Sequence, residues 1–429
     1  MRNSSLILFL LIVTAVFSVD YSAHSPLPKA GAVIAPINGV VSLSWQVDNP
    51  YGKTLAFYLY LFDGEKQSLY GPLEKNNFSL LTKPGKTYSW KIKTEVYDKE
   101  YWSEEWNFQV PKSYEKLFGD DSWDYPVDAK LTDSKLKVLV KKLDCSVDYS
   151  AYLMELSETF EVTAQYFLGS FVPMCFWNDK VLGYEESKNG SLQVISYSSG
   201  STEAVFPETL SSVQLLKADN DVVICVGREN LKTVALVKRG KSISKIDLFS
   251  FSIYDATVVD DGIVFVGTIS QENLNFPVVV LENSSVLKWE HQGWLLKVVP
   301  GEEKRFFYVL GIVPTPTGDH DVVLRKYTTD GVVLWSKTID DFRDEIVGGL
   351  LLSDGKISVL EAVFDNEAYN QRIFMYSFGG EPIGMIESKA INSEKPQKLL
   401  KISSGFLSVG YSYEDGYKTQ IAIRFFSEP

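Results

Sequence analysis

Apolar and polar residues alternate along most of the chain, in short runs broken by Gly, Pro, Asn or Asp. Side chains of an extended strand point alternately to opposite faces, so this pattern predicts strands that each bury one face. In the run from Val40 to Trp45, residues Val41, Leu43 and Trp45 share a face. Further runs lie at Ala56 to Tyr60, Phe78 to Leu81, Thr87 to Ile92 and Trp106 to Val110, with turns at Asp63-Gly64 and Pro84-Gly85 between them. Short alternating strands separated by turn residues predict an antiparallel β-sandwich over residues 22–111.

Beyond residue 112 the alternation itself repeats, with a period of about 45 residues. The segment from Asp344 to Glu361 superposes on those from Ile253 to Gly267 and from Gln397 to Gly410. Each holds a strand, a tight turn and a second strand; a third and a fourth follow. First strands are expected to begin near Tyr125, Phe171, Ser211, Ile253, Trp294, Glu345 and Pro396, which makes seven units. Glycine marks the second strand at Gly183, Gly227, Gly267, Gly311 and Gly410, while Glu361 and Lys141 take the equivalent places in the remaining units. Four short strands cannot bury both faces alone, and a radial ring of stacked units solves this while leaving only short edges. The last unit ends near Phe426 after three strands, and the run from Tyr114 to Phe118 resembles the fourth strand from Trp335 to Ile339. The expected fold is therefore all-β: a sandwich over 22–111, then a seven-bladed β-propeller over 112–429 closed by residues 114–118 against the strand at 420–426.

Family resemblances attach to particular residues. Leu81, Pro84, Gly85, Tyr88 and Trp90 are similar in kind and spacing to the E–F corner of fibronectin type III domains, and Trp45 matches their core tryptophan. The resemblance implies that the Tyr88 hydroxyl bonds back to the upstream backbone, and that the module is a spacer or adhesion unit without chemistry. It also makes Trp45, Tyr88, Trp90 and Trp106 core residues. Tyr97, Tyr101 and Trp102 fall in a polar connection instead, where exposed aromatics suggest binding. The Trp335-Ser-Lys and Asp330-Gly331 pattern resembles the degenerate propeller repeats of secreted bacterial proteins, including Thermotoga-like ones that join a fibronectin type III module to a propeller. That resemblance implies an architecture and a compartment, with no reaction attached.

The N-terminus supports export. Arg2 precedes a run from Leu6 to Phe17 that is apolar but for Thr14, and Ser18 ends a compact-residue cleavage signature. Residues 1–18 are expected to be a signal peptide, because a membrane span needs roughly 20 apolar residues and Asp20 follows too soon. The mature chain, secreted or periplasmic, is expected to have no span. With 42 Lys and Arg against 55 Asp and Glu, the formal charge of -13 argues against nucleic acid as a partner.

Raw material for catalysis is thin. Three histidines (His24, His291, His320) and three cysteines (Cys145, Cys175, Cys225) offer little for a general base or a zinc site, and no cofactor or metal is expected. The cysteines read as buried thiols, with a Cys145 to Cys175 bridge as the alternative. Asp330-Gly331 lacks the spacer of a sialidase Asp-box, and its likeness to the quinoprotein tryptophan-docking repeat, ending at Trp335, is not echoed in the other units; a hairpin turn with a packing tryptophan accounts for it. Carboxylate pairs at Asp120-Asp121, Asp260-Asp261 and Asp340-Asp341 fall in turns, where Asp bonds its own backbone. Glu361 and Lys141 stand out as charges in glycine positions, which must either tilt toward the central channel or find a buried partner. The resulting expectation is an exported, non-enzymatic binding protein without assigned catalytic residues, contacting a glycan, envelope component or partner protein through Glu361, Lys141, Tyr101 and Trp102. A carbohydrate-active hydrolase or lyase using the central channel is the rival, and a structural envelope component a third reading.

Overall fold

The alternating runs form strands in the computed structural model, which describes residues 19–36, 39–119, 123–132, 135–143, 149–157, 159–187, 190–260, 262–339, 345–365, 368–388, 394–414 and 418–428. Residues 1–18, where a signal peptide is expected, Cys145 and the carboxylates Asp120, Asp121, Asp261, Asp340 and Asp341 lie outside the described residues. Two units divide the chain, Met1–Lys112 and Ser113–Pro429.

In the first unit, His24–Leu27, Val40–Gln46 and Asn77–Leu81 make one sheet. The other runs in the order Ala32–Val33, Trp106–Val110, Lys86–Val96, Ala56–Phe62 and Gln67–Leu73, with Lys99–Trp102 also paired to Lys86–Val96. Val41, Leu43 and Trp45 are buried, as are Leu59, Trp90, Ile92 and Phe108 across from them. The Trp90 ring meets Trp106 edge-on at 4.7 Å and lies 6.2 Å from Trp45. Tyr88 is buried against Phe108, and its hydroxyl accepts the Lys83 N–H at 2.7 Å, which pins the turn at Gly85. Each such large apolar side chain stabilises the fold by roughly 1.5–3 kcal/mol.

In the second unit, chain order is also spatial order. Sheet 2 comprises Val172–Trp177, Lys180–Glu186, Leu192–Ser198 and Ser201–Leu210. Sheets 3 to 6 follow the same plan and open with the strands Ser212–Asp219, Ser252–Val259, Trp294–Pro300 and Glu345–Ser353. Sheet 1 holds Trp123–Thr132, Lys135–Leu143, Tyr149–Leu156 and Val162–Gly169. Sheet 7 holds Glu394–Ile402, Gly405–Glu414 and Lys418–Ser427, and joins sheet 1 through a single parallel bridge between Trp123 and Thr419. Its fourth strand is Ser113–Phe118, antiparallel to Lys418–Ser427 from Ser113 opposite Phe426 to Phe118 opposite Ile421. Glu115 faces Arg424 across this pair and forms an ion pair with it; the Arg424 guanidinium also donates to the Ser388 carbonyl at 3.1 Å. The opening strand of each sheet lies against that of the next, and that of sheet 7 against that of sheet 1. A closed ring of four-stranded antiparallel sheets is a β-propeller. Its core is apolar contact between adjacent sheets, as where Val205, Phe206 and Leu210 of sheet 2 pack on Leu216 and Val223 of sheet 3.

The glycine positions have a common cause. Gly183, Gly227, Gly267, Gly311 and Gly410 each pair with the inner-strand residue just before a register shift: Pro173, Val213, Ile253, Leu295 and Pro396. A Cβ there would come within 1.9–2.4 Å of an inner-strand carbonyl oxygen, so the close approach in these five sheets requires glycine. Glu361 occupies this place in sheet 6, opposite Val347. In sheet 1 the place belongs to Val140, opposite Pro126. Lys141 is therefore not the glycine equivalent: it lies one residue further on, and a one-residue step puts a side chain on the other face.

Candidate functional site

Lys141 is built into the junction of sheets 1 and 7. Alternation turns it to the same side as its cross-strand partner Tyr125, and its ammonium lies over two rings, Tyr125 at 5.3 Å and Tyr149 at 5.2 Å. Aromatic rings continue from there into sheet 7: Trp123 stacks near Tyr125 at 6.4 Å, Tyr125 meets Tyr411 edge-on at 5.3 Å, and Tyr411 meets Tyr413 at 5.4 Å with Lys395 over the last ring. Burial lowers the Lys141 pKa. Burial also raises the phenols of Tyr125, Tyr184 and Tyr411, keeping them neutral hydrogen-bond donors. Ring faces, phenolic hydroxyls and a half-buried ammonium form a surface suited to a polyhydroxylated or anionic ligand. On the opposite face of sheet 1 a cleft of about 390 Å³, lined by Phe118, Asp124, Lys142, Tyr152, Gln165 and Gln420 among others, falls within the usual size of ligand pockets.

A second cluster lies on the inner strands. Past the register shift, equivalent positions carry Asp128, Cys175, Leu215, Asp255, Lys297, Gly349 and Lys398. The two aspartates are held alike. Asp128 Oδ1 accepts its neighbour Ala129 N–H at 2.9 Å and pairs with Lys398 of sheet 7, while Oδ2 accepts the Phe176 N–H of sheet 2 at 2.8 Å. Asp255 Oδ1 accepts Ala256 N–H at 3.0 Å and pairs with Lys217 of sheet 3, while Oδ2 accepts the Val298 N–H of sheet 5 at 3.0 Å. Each carboxylate thus staples three consecutive sheets together through charge-assisted hydrogen bonds. None of these residues stands out in the sequence, because the paired groups are up to 270 positions apart. The available signal was a charge interrupting an apolar inner strand at one fixed repeat position.

The remaining candidates are dispersed. Glu361 is fully buried inside sheet 6, 3.9 Å from Arg372, which also contacts Glu387 at 3.2 Å. These residues sit directly opposite one another on adjacent strands, so the charges form a ladder across the sheet. Burial and the Glu361 charge push the Tyr376 hydroxyl up to about 12. Tyr101 and Trp102 belong to the first unit, where Tyr101 packs edge-on against Tyr21 and Trp102 lies 5.0 Å from Tyr60 with Lys91 over its ring. Cys175 and Cys225 are free thiols buried in one apolar cluster, and burial pushes Cys225 up to about 12. The other partner of the expected Cys145 to Cys175 bridge, Cys145, lies outside the described residues. Asp330-Gly331 makes a turn with Gly331 at φ +94°, and the Trp335 indole packs near Tyr308 and donates to the Phe378 carbonyl. Among the described residues no His, Cys, Asp and Glu grouping is arranged to hold a metal, and no helix is long and apolar enough to cross a membrane.

No family model and no curated protein matches the chain. Solved structures similar to it include the β-propeller domain of the Trilobed protease from Pyrococcus furiosus, at 12% identity over 67% of this chain and 89% of that one with a TM-score of 0.44. The acylaminoacyl peptidase of Pyrococcus horikoshii is similar at 11% identity, 70% and 52% coverage and a TM-score of 0.43. An exotype rhamnogalacturonan lyase gives 11%, 96% and 91%, with a TM-score of 0.35. Likenesses this distant specify neither activity nor ligand.

Proposed function

We propose that the chain is an exported binding protein, a fibronectin type III-like sandwich followed by a seven-bladed propeller, which holds a glycan at the junction of sheets 1 and 7. The observation that carries this reading is the half-buried Lys141 ammonium between the Tyr125 and Tyr149 rings, with Tyr411 and Tyr413 beside it. Stacking faces plus hydrogen-bonding hydroxyls are the means by which proteins hold sugars without a deep pocket. Export rests on the leader pattern of residues 1–18. Binding is favoured over hydrolysis by the state of the inner carboxylates: glycoside cleavage needs one carboxyl able to donate a proton and one free to attack or activate water, whereas Asp128 and Asp255 are each committed to a lysine and two backbone N–H groups.

Affinity electrophoresis through gels containing neutral or acidic polysaccharides tests the reading. Retardation by at least one polysaccharide, lost in the Tyr125→Ala/Tyr149→Ala double variant, is expected. Steady release of reducing sugar from the retarding polysaccharide would replace the binding reading with the hydrolase.

A further inference from the structure

The inner-strand cluster holds an unbalanced charge. Its three lysines, Lys217, Lys297 and Lys398, face two aspartates, and the aspartates are taken by Lys398 and Lys217. Lys297 is left over: among the described residues no carboxylate lies within ion-pair distance, and its ammonium reaches only the Gln397 carbonyl, at 3.5 Å. That contact runs from sheet 5 past sheet 6 to sheet 7. Sheet 6 carries Gly348 and Gly349 at this level, where a Cβ on Gly348 would collide with Pro396 and one on Gly349 would crowd Leu399. Lys297 is partly exposed, yet protein encloses it closely enough that burial lowers its pKa, and it senses Asp255 and Asp128 as well as Lys217 and Lys398. An ammonium so placed is costly without a counter-charge. The chain as a whole carries -13, so this local excess of positive charge runs against its overall composition.

We propose that the ring axis at Lys297 binds a single oxyanion, a carboxylate, sulfate or phosphate group, with Lys297 as its principal ligand and Lys217 and Lys398 flanking it. The aspartates orient the flanking lysines and exclude a second anion. This site is independent of the glycan reading, since it uses none of the Lys141 cluster. The anion comes either from a free inorganic ion or from the acidic group of a larger molecule, and two probes separate these sources.

The experiment is calorimetric titration of the full chain with sodium sulfate, sodium glucuronate and neutral glucose at constant ionic strength. One equivalent of sulfate or glucuronate is expected to bind saturably and glucose not at all, with affinity falling at least tenfold in Lys297→Met and recovering in Lys297→Arg. Sulfate binding without glucuronate assigns the site to inorganic ions; tighter glucuronate binding assigns it to an acidic ligand. Absence of binding by both anions, or equal binding by Lys297→Met, overturns the proposal. Should Lys297→Met fail to fold, crystals of the unaltered protein grown with selenate decide: an anomalous selenium peak beside Lys297 Nζ supports the site, and its absence there overturns it.

Discussion

Two regions of the chain set lysines against aromatic rings, and they differ in what else each lysine has. In the first unit, Lys93 lies 4.5 Å over the Tyr58 ring and also pairs with Glu95 at 2.5 Å and Glu100 at 3.1 Å. Its charge is answered within the sheet. Trp102, on the same sheet, stays 42% exposed with Lys91 over it. At the junction of sheets 1 and 7, Lys141 has two rings and, among the described residues, no carboxylate within ion-pair distance, and burial lowers its pKa. The same residue types thus make an ion-paired face in one place and a half-buried cation between rings in the other. Aromatic and lysine composition alone does not identify a site; burial and the described partners do.

The comparison breaks most severely if the junction itself is loosened. Glu115 on the closing strand pairs with the buried Arg424 guanidinium, and Glu115→Ala removes that charge-assisted bond, so unfolding free energy is expected to fall by about 1.5–3 kcal/mol. Chemical denaturation should show the loss in the ring's transition; an unchanged midpoint would mean that the closing strand does not hold the ring.

Next in size is the ligand effect. Tyr125→Ala is expected to weaken polysaccharide binding about tenfold, or about 1.4 kcal/mol, with no change in the ring's unfolding midpoint beyond that of a half-exposed aromatic loss. Binding that survives intact would move the site away from Lys141.

Smaller still is an acid effect. Burial would raise the Glu155 carboxyl, but hydrogen bonds and charge from Lys137 and Lys135, both at 3.1 Å, outweigh it and hold the pKa below the ordinary value. Glu428 is held low in the same way by Lys401 and Lys356. A carboxyl depressed in the folded state contributes fully above its unfolded pKa of about 4.3 and loses that contribution as pH falls through the folded value. Glu155→Gln and Glu428→Gln should each flatten the acid limb of a stability-against-pH curve below pH 4.5, by less than about 1 kcal/mol. An unaltered acid limb would show that these pairs persist on unfolding.

How much of this could be read from the sequence follows from where each interaction lies along the chain. Alternation from Val40 to Trp45 names its own buried face, and the recurring glycines mark the inner-strand bulge because only they tolerate a carbonyl within 2.4 Å of a Cβ position. The pairing of residues 113–118 with 421–426 is foreshadowed by the likeness of Tyr114 to Phe118 with a fourth strand. Sheet 1 has Val140 where five of its sisters have glycine, so nothing in the sequence chose between Val140 and Lys141. The inner cluster was illegible for another reason: Asp128, Lys217, Asp255, Lys297 and Lys398 sit on five separate strands, and only ring closure makes them neighbours.

The most direct test sets the two lysine and aromatic regions side by side: calorimetric affinity for the retarding polysaccharide in Lys141→Met and in Trp102→Ala, each against the unaltered chain. Lys141→Met is expected to lose about tenfold and Trp102→Ala to change by less than about twofold, consistent with a desolvated cation over rings against an exposed one. The reverse ranking, with Trp102→Ala abolishing binding and Lys141→Met neutral, would contradict this expectation and place the ligand on the first unit.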